Sequence, residues 1–258
     1  MIGDSLMRYQ YLTLAYLVHT RSVFTPETQP TGNLLVKQRL DSWLNFYQHT
    51  NKVIAPNEYC DCYRVDIQDP EKCYENRYYH DPVRNISLSF LQYFGDGDKP
   101  IHFFRGHWKP GDAEGNDHFH APDNTSQPYK WQYKHVDELI SNIAAKLNPK
   151  PTTLVLNAGH WVNNYMNITH REKVISTALQ SFDRVIWKTT SGRHNEMLVS
   201  SPADIVMCAM NKVECLDLSW THYLRSTDYA DYFHYHPHVY NDINIQFLRQ
   251  LTTKEAIK

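Results

Sequence analysis

An excess of one charge is missing from this 258-residue chain: 26 Lys and Arg stand against 28 Asp and Glu, a formal net charge of −2. That balance excludes the basic stripe with which a protein neutralises a nucleic-acid backbone. Long apolar runs are missing as well, so no segment reaches the ~20 residues of a membrane-crossing helix. Residues 1–20 carry Asp4 and Arg8 where a secretion signal would hold its apolar core, and no targeting segment is visible. No internal repeat or low-complexity tract breaks the chain, and the cysteines lack the paired spacing of a zinc site.

What is present suits one packed domain spanning residues 1–258. Hydrophobic residues make up 41% and charged residues 21%, a globular balance. Aromatics are plentiful, with 18 Tyr and 6 Trp, and suit either a surface that stacks on sugars or an ordinary core. The five cysteines are Cys60, Cys62, Cys73, Cys208 and Cys215, so at least one thiol has no partner within the chain. One disulfide within the first three and one between Cys208 and Cys215 fit that count. Three glycosylation sequons begin at Asn85, Asn124 and Asn167, which leans towards a secretory lumen.

Apolar spacing predicts helices over residues 5–19, 34–48, 133–147, 170–182 and 238–251. In the first, Leu6, Tyr9, Leu12, Tyr16 and Leu17 share a face. Thr169 and Glu172 have capping-box spacing at the start of the fourth. Strand-like runs are Ile86–Phe94, Ile101–Phe104, Thr153–Leu156, Arg184–Lys188 and Val213–Leu218. Turn-rich stretches at 54–85 and 105–130 read as loop insertions. Strands alternating with helices predict an α/β domain with a mostly parallel sheet, whose chemistry belongs in the loops that follow strands.

Four segments could carry that chemistry. Gly3-Asp4-Ser5-Leu6-Met7-Arg8 puts a serine at a helix start, where unpaired N–H groups and the helix dipole stabilise an oxyanion. The same serine could equally be a simple N-cap. Asp231-Tyr232-Phe233-His234 offers a base and an orienting carboxylate three residues apart on one loop. Leu156-Asn157-Ala158-Gly159-His160-Trp161 follows a strand, and its Asn side chain could donate to an oxyanion or simply form a turn. Phe104-Arg105-Gly106-His107-Trp108 also follows a strand, and its glycine N–H could complete an oxyanion hole. The run His234, His236 and His238, joined by His118 and His120, has a competing metal-binding reading.

Taken in order, these blocks resemble the SGNH/GDSL hydrolase superfamily, and within it the PC-esterase and trichome-birefringence-like branch. Gly3-Asp4-Ser5-x-x-Arg8-x-Gln10, Asn157-x-Gly159-His160-Trp161, Trp187-Lys188-Thr189-Thr190-Ser191 and Asp231-x-x-His234 match its motifs. The resemblance is confined to these blocks but spans residues 3–241. It implies a flavodoxin-like three-layer α/β/α sandwich and acyl-ester chemistry on carbohydrate hydroxyls. It implies O-acetyl transfer first and O-acetyl ester hydrolysis as the alternative; a non-catalytic glycan-binding relative is a third possibility. By the same resemblance Ser5 is the nucleophile, His234 the base and Asp231 its partner. Asn157 and Gly106 support the oxyanion, while Arg8, His160 and Trp161 line the nucleophile turn or the substrate. No cofactor or metal is expected; the partners are an acyl donor and a glycan acceptor, in the Golgi lumen or outside the cell. The family carries a buried strand just before Gly-Asp-Ser, whereas only Met1 and Ile2 precede Gly3. The first strand is therefore expected to be missing or truncated, and Met1 to be internal to a longer natural chain that supplies the strand and any membrane anchor.

Overall fold

The computed structural model describes residues 1–23, 50, 53–61, 76–93, 101–104, 130–133, 135–157, 159–160, 168–194, 202–210 and 212–253. Its strands are β1 (Ile2–Gly3), β2 (Glu58–Asp61), β3 (Asn76–Asp81), β4 (Ile86–Gln92), β5 (Ile101–Phe104), β6 (Lys130–Tyr133), β7 (Thr153–Leu156), β8 (Arg184–Lys188) and β9 (Glu214–Leu216). Its α-helices are α1 (Ser5–Thr20), α2 (Val136–Asn142), α3 (Ile168–Ser181), α4 (Pro202–Cys208) and α5 (Pro237–Thr253). Seven strands form one sheet in the order β2-β3-β4-β1-β7-β8-β9, and β5 pairs with β6 in a separate hairpin. From β4 to β9 every pairing in the large sheet is parallel, whereas β2 and β3 add antiparallel at one edge.

The first strand, expected to be missing or truncated, is present as the two residues Ile2–Gly3. Ile2 lies opposite Leu91 of β4 on one side and Leu156 of β7 on the other. Two residues hold this central place because each edge is bonded: Leu91 N–H donates to Met1 O at 2.9 Å, and Asn157 N–H to Ile2 O at 3.1 Å. Chain order reverses at β1, between β4 and β7, so the crevice beyond its carboxyl end is where a parallel sheet offers a site. Ser5 opens α1 at that point.

The expected loop insertion at 54–85 needs correcting. Its described ends are β2 and β3, which widen the sheet. Their polar and aromatic residues hid them: Arg77, which is fully buried, bonds the equally buried Glu58 carboxylate at 3.0 Å, and Tyr11 OH donates to the same carboxylate. A charge can sit in a core when it is paired and hydrogen-bonded in this way. The helix read over 133–147 is shorter, starting at Val136, and breaks at Ile143 before a 3-10 turn over Ala144–Lys146. Thr169 lies inside α3, one residue past its start, so it is not the cap the Thr169/Glu172 spacing suggested. The segments 34–48 and 105–129 lie outside the described residues.

Two apolar clusters pack against the sheet. One joins Ile2, Leu154 and Trp187 to Leu139 of α2, Val174 of α3 and Met207 of α4. The other joins Val155 and Ile186 to Leu12 of α1 and to Ile243 and Phe247 of α5. Alternate residues of one strand, Leu154 and Val155, thus serve opposite faces, as the pleat requires. α1 is buried nearly all round from Leu6 to Tyr16, rather than along the single stripe its sequence suggested, because α5 covers its far side. Among the described residues no helix is long and apolar enough to cross a membrane.

Candidate active site

Ser5 is the first residue of α1, and the N-cap is Asp4, whose Oδ1 accepts from Leu6 N–H at 3.0 Å. The simple N-cap reading of Ser5 is therefore set aside. Because Asp4 caps Leu6, the Ser5 N–H is left at the positive end of the helix with no hydrogen-bond partner among the described residues. Gly159 packs directly on this cap: a Cβ at that position would stand 1.9 Å from Asp4 Oδ2, and its φ is +55°. Glycine is needed there on both counts.

His234 and Asp231 meet Ser5 from the other end of the chain. Ser5 Oγ and His234 Nε2 are 2.8 Å apart, and His234 Nδ1 and Asp231 Oδ2 are 2.7 Å apart. The dyad is built locally. Asp231 Oδ1 accepts from the backbone N–H groups of Phe233 and His234, both at 2.8 Å, while Ala230 N–H donates to His234 O. An Asp-x-x-His loop thus folds its carboxylate onto its own imidazole. Burial raises the pKa of Asp231, but hydrogen bonds from the His234 ring and from the two backbone N–H groups outweigh it, and the pKa lies below the usual carboxylate value. The ring of His234 rests on Tyr9, centroids 5.1 Å apart, and Tyr9 stacks on Tyr240 of α5. The sequence reading gave Tyr9 only as part of an apolar face; its place one helical turn after Ser5 is the spacing that could have found it.

The other candidates divide. Asn157 is buried beside Asp4 and Gly159, and its Nδ2 donates to Lys188 O at 2.8 Å and, at 3.5 Å, to Thr189 O, so its amide already ties the end of β7 to β8. Arg8 reaches Gln92 at the end of β4 at 3.3 Å, bracing α1 against the sheet. His160 Nδ1 accepts from Arg193 Nε at 2.9 Å, and the Arg193 guanidinium lies over the Phe233 ring. Gly106 and Trp161 lie outside the described residues, as do His118 and His120. Among the described residues, no group of three or more His, Cys, Asp or Glu side chains could hold a metal ion, and His238 pairs instead with Asp228 at 3.2 Å.

The Trp187–Ser191 block works by tying β8 to its neighbours. Trp187 Nε1 and Thr190 N–H both donate to Asp204 of α4, at 2.7 and 2.8 Å, and Thr189 Oγ1 accepts from Leu218 N–H. Cys208 and Cys215, one of the two disulfides that fit the cysteine count, are bonded. Of the sequons, Asn85 is exposed in the turn before β4, while Asn124 and Asn167 lie outside the described residues.

Sequence reading placed Lys188 in the Trp187–Ser191 block but missed its burial. Its side chain is 1% exposed, and its ammonium has no hydrogen-bond partner among the described residues. Burial pushes its pKa down to about 8, against the pull of the Asp4 carboxylate. Between that value and the ordinary lysine value the unfolded chain holds a proton that the folded one has released, so stability rises with pH. Buried Tyr235 and Tyr240 have pKa values raised by burial, and they reverse the trend above the ordinary tyrosine value of ~10. The urea midpoint is therefore expected to climb from pH 8 to about pH 10. Lys188→Met should flatten that climb; an unchanged slope in the variant would refute the assignment.

Comparison with family models, with curated proteins and with solved structures finds no match to this chain.

Proposed function

We propose that this chain is a serine-dependent O-acyltransferase of the SGNH/GDSL kind. On this reading it is a three-layer α/β/α domain that moves an acyl group, most simply acetyl, onto a carbohydrate hydroxyl. The observation that carries the reading is the continuous chain of short contacts from Ser5 Oγ through His234 to Asp231 Oδ2. Ser5 Oγ attacks the donor's carbonyl carbon as its proton passes to His234 Nε2. The Ser5 N–H at the start of α1 takes the developing oxyanion; the family resemblance adds Asn157 and Gly106 as further supports. Collapse expels the donor's leaving group, which takes the proton from His234, and acyl-Ser5 remains. A sugar hydroxyl then gives its proton to His234 and attacks the ester carbonyl, and collapse of that adduct expels Ser5 Oγ, which takes the proton back from His234. Asp231 stays ionised and holds the imidazolium.

A glycan acceptor is supported by the two residues between the dyad. Tyr232 is 45% and Phe233 38% exposed, and their rings meet edge to face beside the base. Such faces stack on sugar rings. Hydrolysis is the second reading, favoured by one observation: the Asp231 side chain is 45% and that of His234 21% exposed, so water can approach the base. The exposed Asn85 sequon and the Cys208–Cys215 disulfide support a secretory lumen.

The test is intact-protein mass spectrometry after brief exposure to an activated aryl acetate. One acetyl adduct is expected on the wild type and none on Ser5→Ala. Loss of the adduct on adding oligosaccharides, but not in buffer, supports transfer; equal loss in both supports hydrolysis. A folded wild type that forms no adduct and shows no turnover would sink the enzymatic reading.

A further inference from the structure

We propose that Lys188 is a positioning residue for the acyl step: its buried ammonium offsets the Asp4 carboxylate beside Ser5, so that the start of α1 can accept a second negative charge. The role rests on the reading of Ser5 as the nucleophile.

The opposing charge is built into the site. Asp4 is buried and caps α1 through Oδ1, one residue before the serine whose N–H is left for an oxyanion. A carboxylate suits a helix start, because the unpaired N–H groups there favour an anion. That same carboxylate opposes the chemistry. An oxyanion forming at Ser5 meets a fixed like charge away from water, where repulsion is least screened. A nearby cation removes that repulsion.

Strand geometry puts one there. Ile186 and Val155 lie in the cluster under α1 and α5, whereas Trp187 and Leu156 lie in the cluster on the other face. By the alternation of the pleat, Lys188 and Asn157 turn to the α1 side. β1, β7 and β8 are consecutive and parallel, so Asp4, Asn157 and Lys188 stand at the carboxyl ends of three neighbouring strands. Asn157 holds Lys188 O at 2.8 Å. A Cβ on Gly159 would stand 1.9 Å from Asp4 Oδ2 and 3.2 Å from Asn157 Oδ1, so those two side chains converge. The carboxylate that pulls on the Lys188 ammonium is that of Asp4. Tyr240, the α5 phenol that feels the same carboxylate, is kept neutral by burial.

The fold gives no other reason for a lysine here. Its ammonium is buried and makes no hydrogen bond among the described residues. An ammonium buried in that way lowers stability, and an apolar side chain of similar length would pack there without the penalty. A buried charge retained beside a nucleophile points to the electrostatics of the site. Burial brings the pKa down to about 8, so the ammonium still prevails at neutral pH.

Two variants test this, read as the rate of acetyl-adduct formation from an activated aryl acetate at neutral pH. Lys188→Met should acylate ~10- to 100-fold more slowly at saturating ester, with little change in the half-saturating concentration. Its urea midpoint should be no lower than that of the wild type. Adding Asp4→Asn removes the opposing charge but keeps an oxygen to cap Leu6, and should bring the rate back to within about threefold of the wild type. A merely structural lysine predicts the reverse, with the second substitution deepening the loss. Full-rate acylation by Lys188→Met would overturn the proposal while leaving Ser5 as the nucleophile. So would a double variant as slow as Lys188→Met, or the failure of either variant to fold. A wild type that forms no adduct would remove the nucleophile and this role together.

Discussion

Ser5→Ala is expected to lower aryl-acetate turnover by ~10⁵- to 10⁶-fold, the scale seen when a triad serine is removed. His234→Ala should lose as much, and the double variant no more than either single one, because nucleophile and base act as a unit. Asp231→Asn should cost less, ~10⁴-fold: the amide keeps the loop's shape but cannot hold the imidazole in the required tautomer or balance its charge. Stability should separate these effects from unfolding. Ser5 Oγ makes its contact with His234, while the cap of α1 is made by Asp4, so losing the hydroxyl leaves the helix start intact. Tm of Ser5→Ala should therefore stay close to that of the wild type. Paired steady-state kinetics and thermal melts check the whole set, and wild-type turnover in a folded Ser5→Ala would remove the mechanism.

Gly159→Ala should damage both fold and site through one methyl group. The new Cβ would stand 1.9 Å from Asp4 Oδ2 and 2.6 Å from its Cγ, so the buried carboxylate must move. Moving it releases Leu6 N–H, a loss of ~1 kcal/mol for an N-cap. A left-handed backbone adds ~1–2 kcal/mol for a residue with a Cβ. A total of about 2–4 kcal/mol is expected, read as a lower urea midpoint. Reactivity should fall too, by ~10²-fold, because Ser5 adjoins the displaced cap and such shifts misalign attack. Coupling to Asp4→Gly provides the control. With the carboxylate gone the methyl has room, so the pair should lose less than the sum of its members. Strict additivity would mean that the contact with Asp4 is not the cause.

Much of this was legible in the sequence, for identifiable reasons. The strands β5, β7 and β8 were read to the residue because they are short apolar runs. The Asp231–His234 pair was legible because its geometry is local: three residues and two backbone N–H groups close it. β2 and β3 were not, because what fills their core positions is polar: Glu58 and Arg77 neutralise each other only once the strands are side by side. The burial of Lys188 escaped notice for the opposite reason. A lysine at a strand's end reads as solvated, and only the layer packed over β8 leaves its ammonium buried. The bond from Arg193 to His160 joins two loops 33 residues apart, a distance no periodicity reports.

Ser5 and His234, nucleophile and base in the proposed mechanism, are 229 residues apart in sequence. During synthesis Ser5 emerges long before His234 and the α5 helix that presses on α1. Asn244 of α5 completes that docking by donating to Gln10 O and Thr13 Oγ1. A nascent chain, or one clipped before His234, thus carries a serine with no base beside it, and in the proposed mechanism acyl transfer waits on the docking of α5. Active-site titration of this protein would therefore count finished molecules rather than polypeptide, and a protease that trims α5 would act as an off-switch without approaching Ser5.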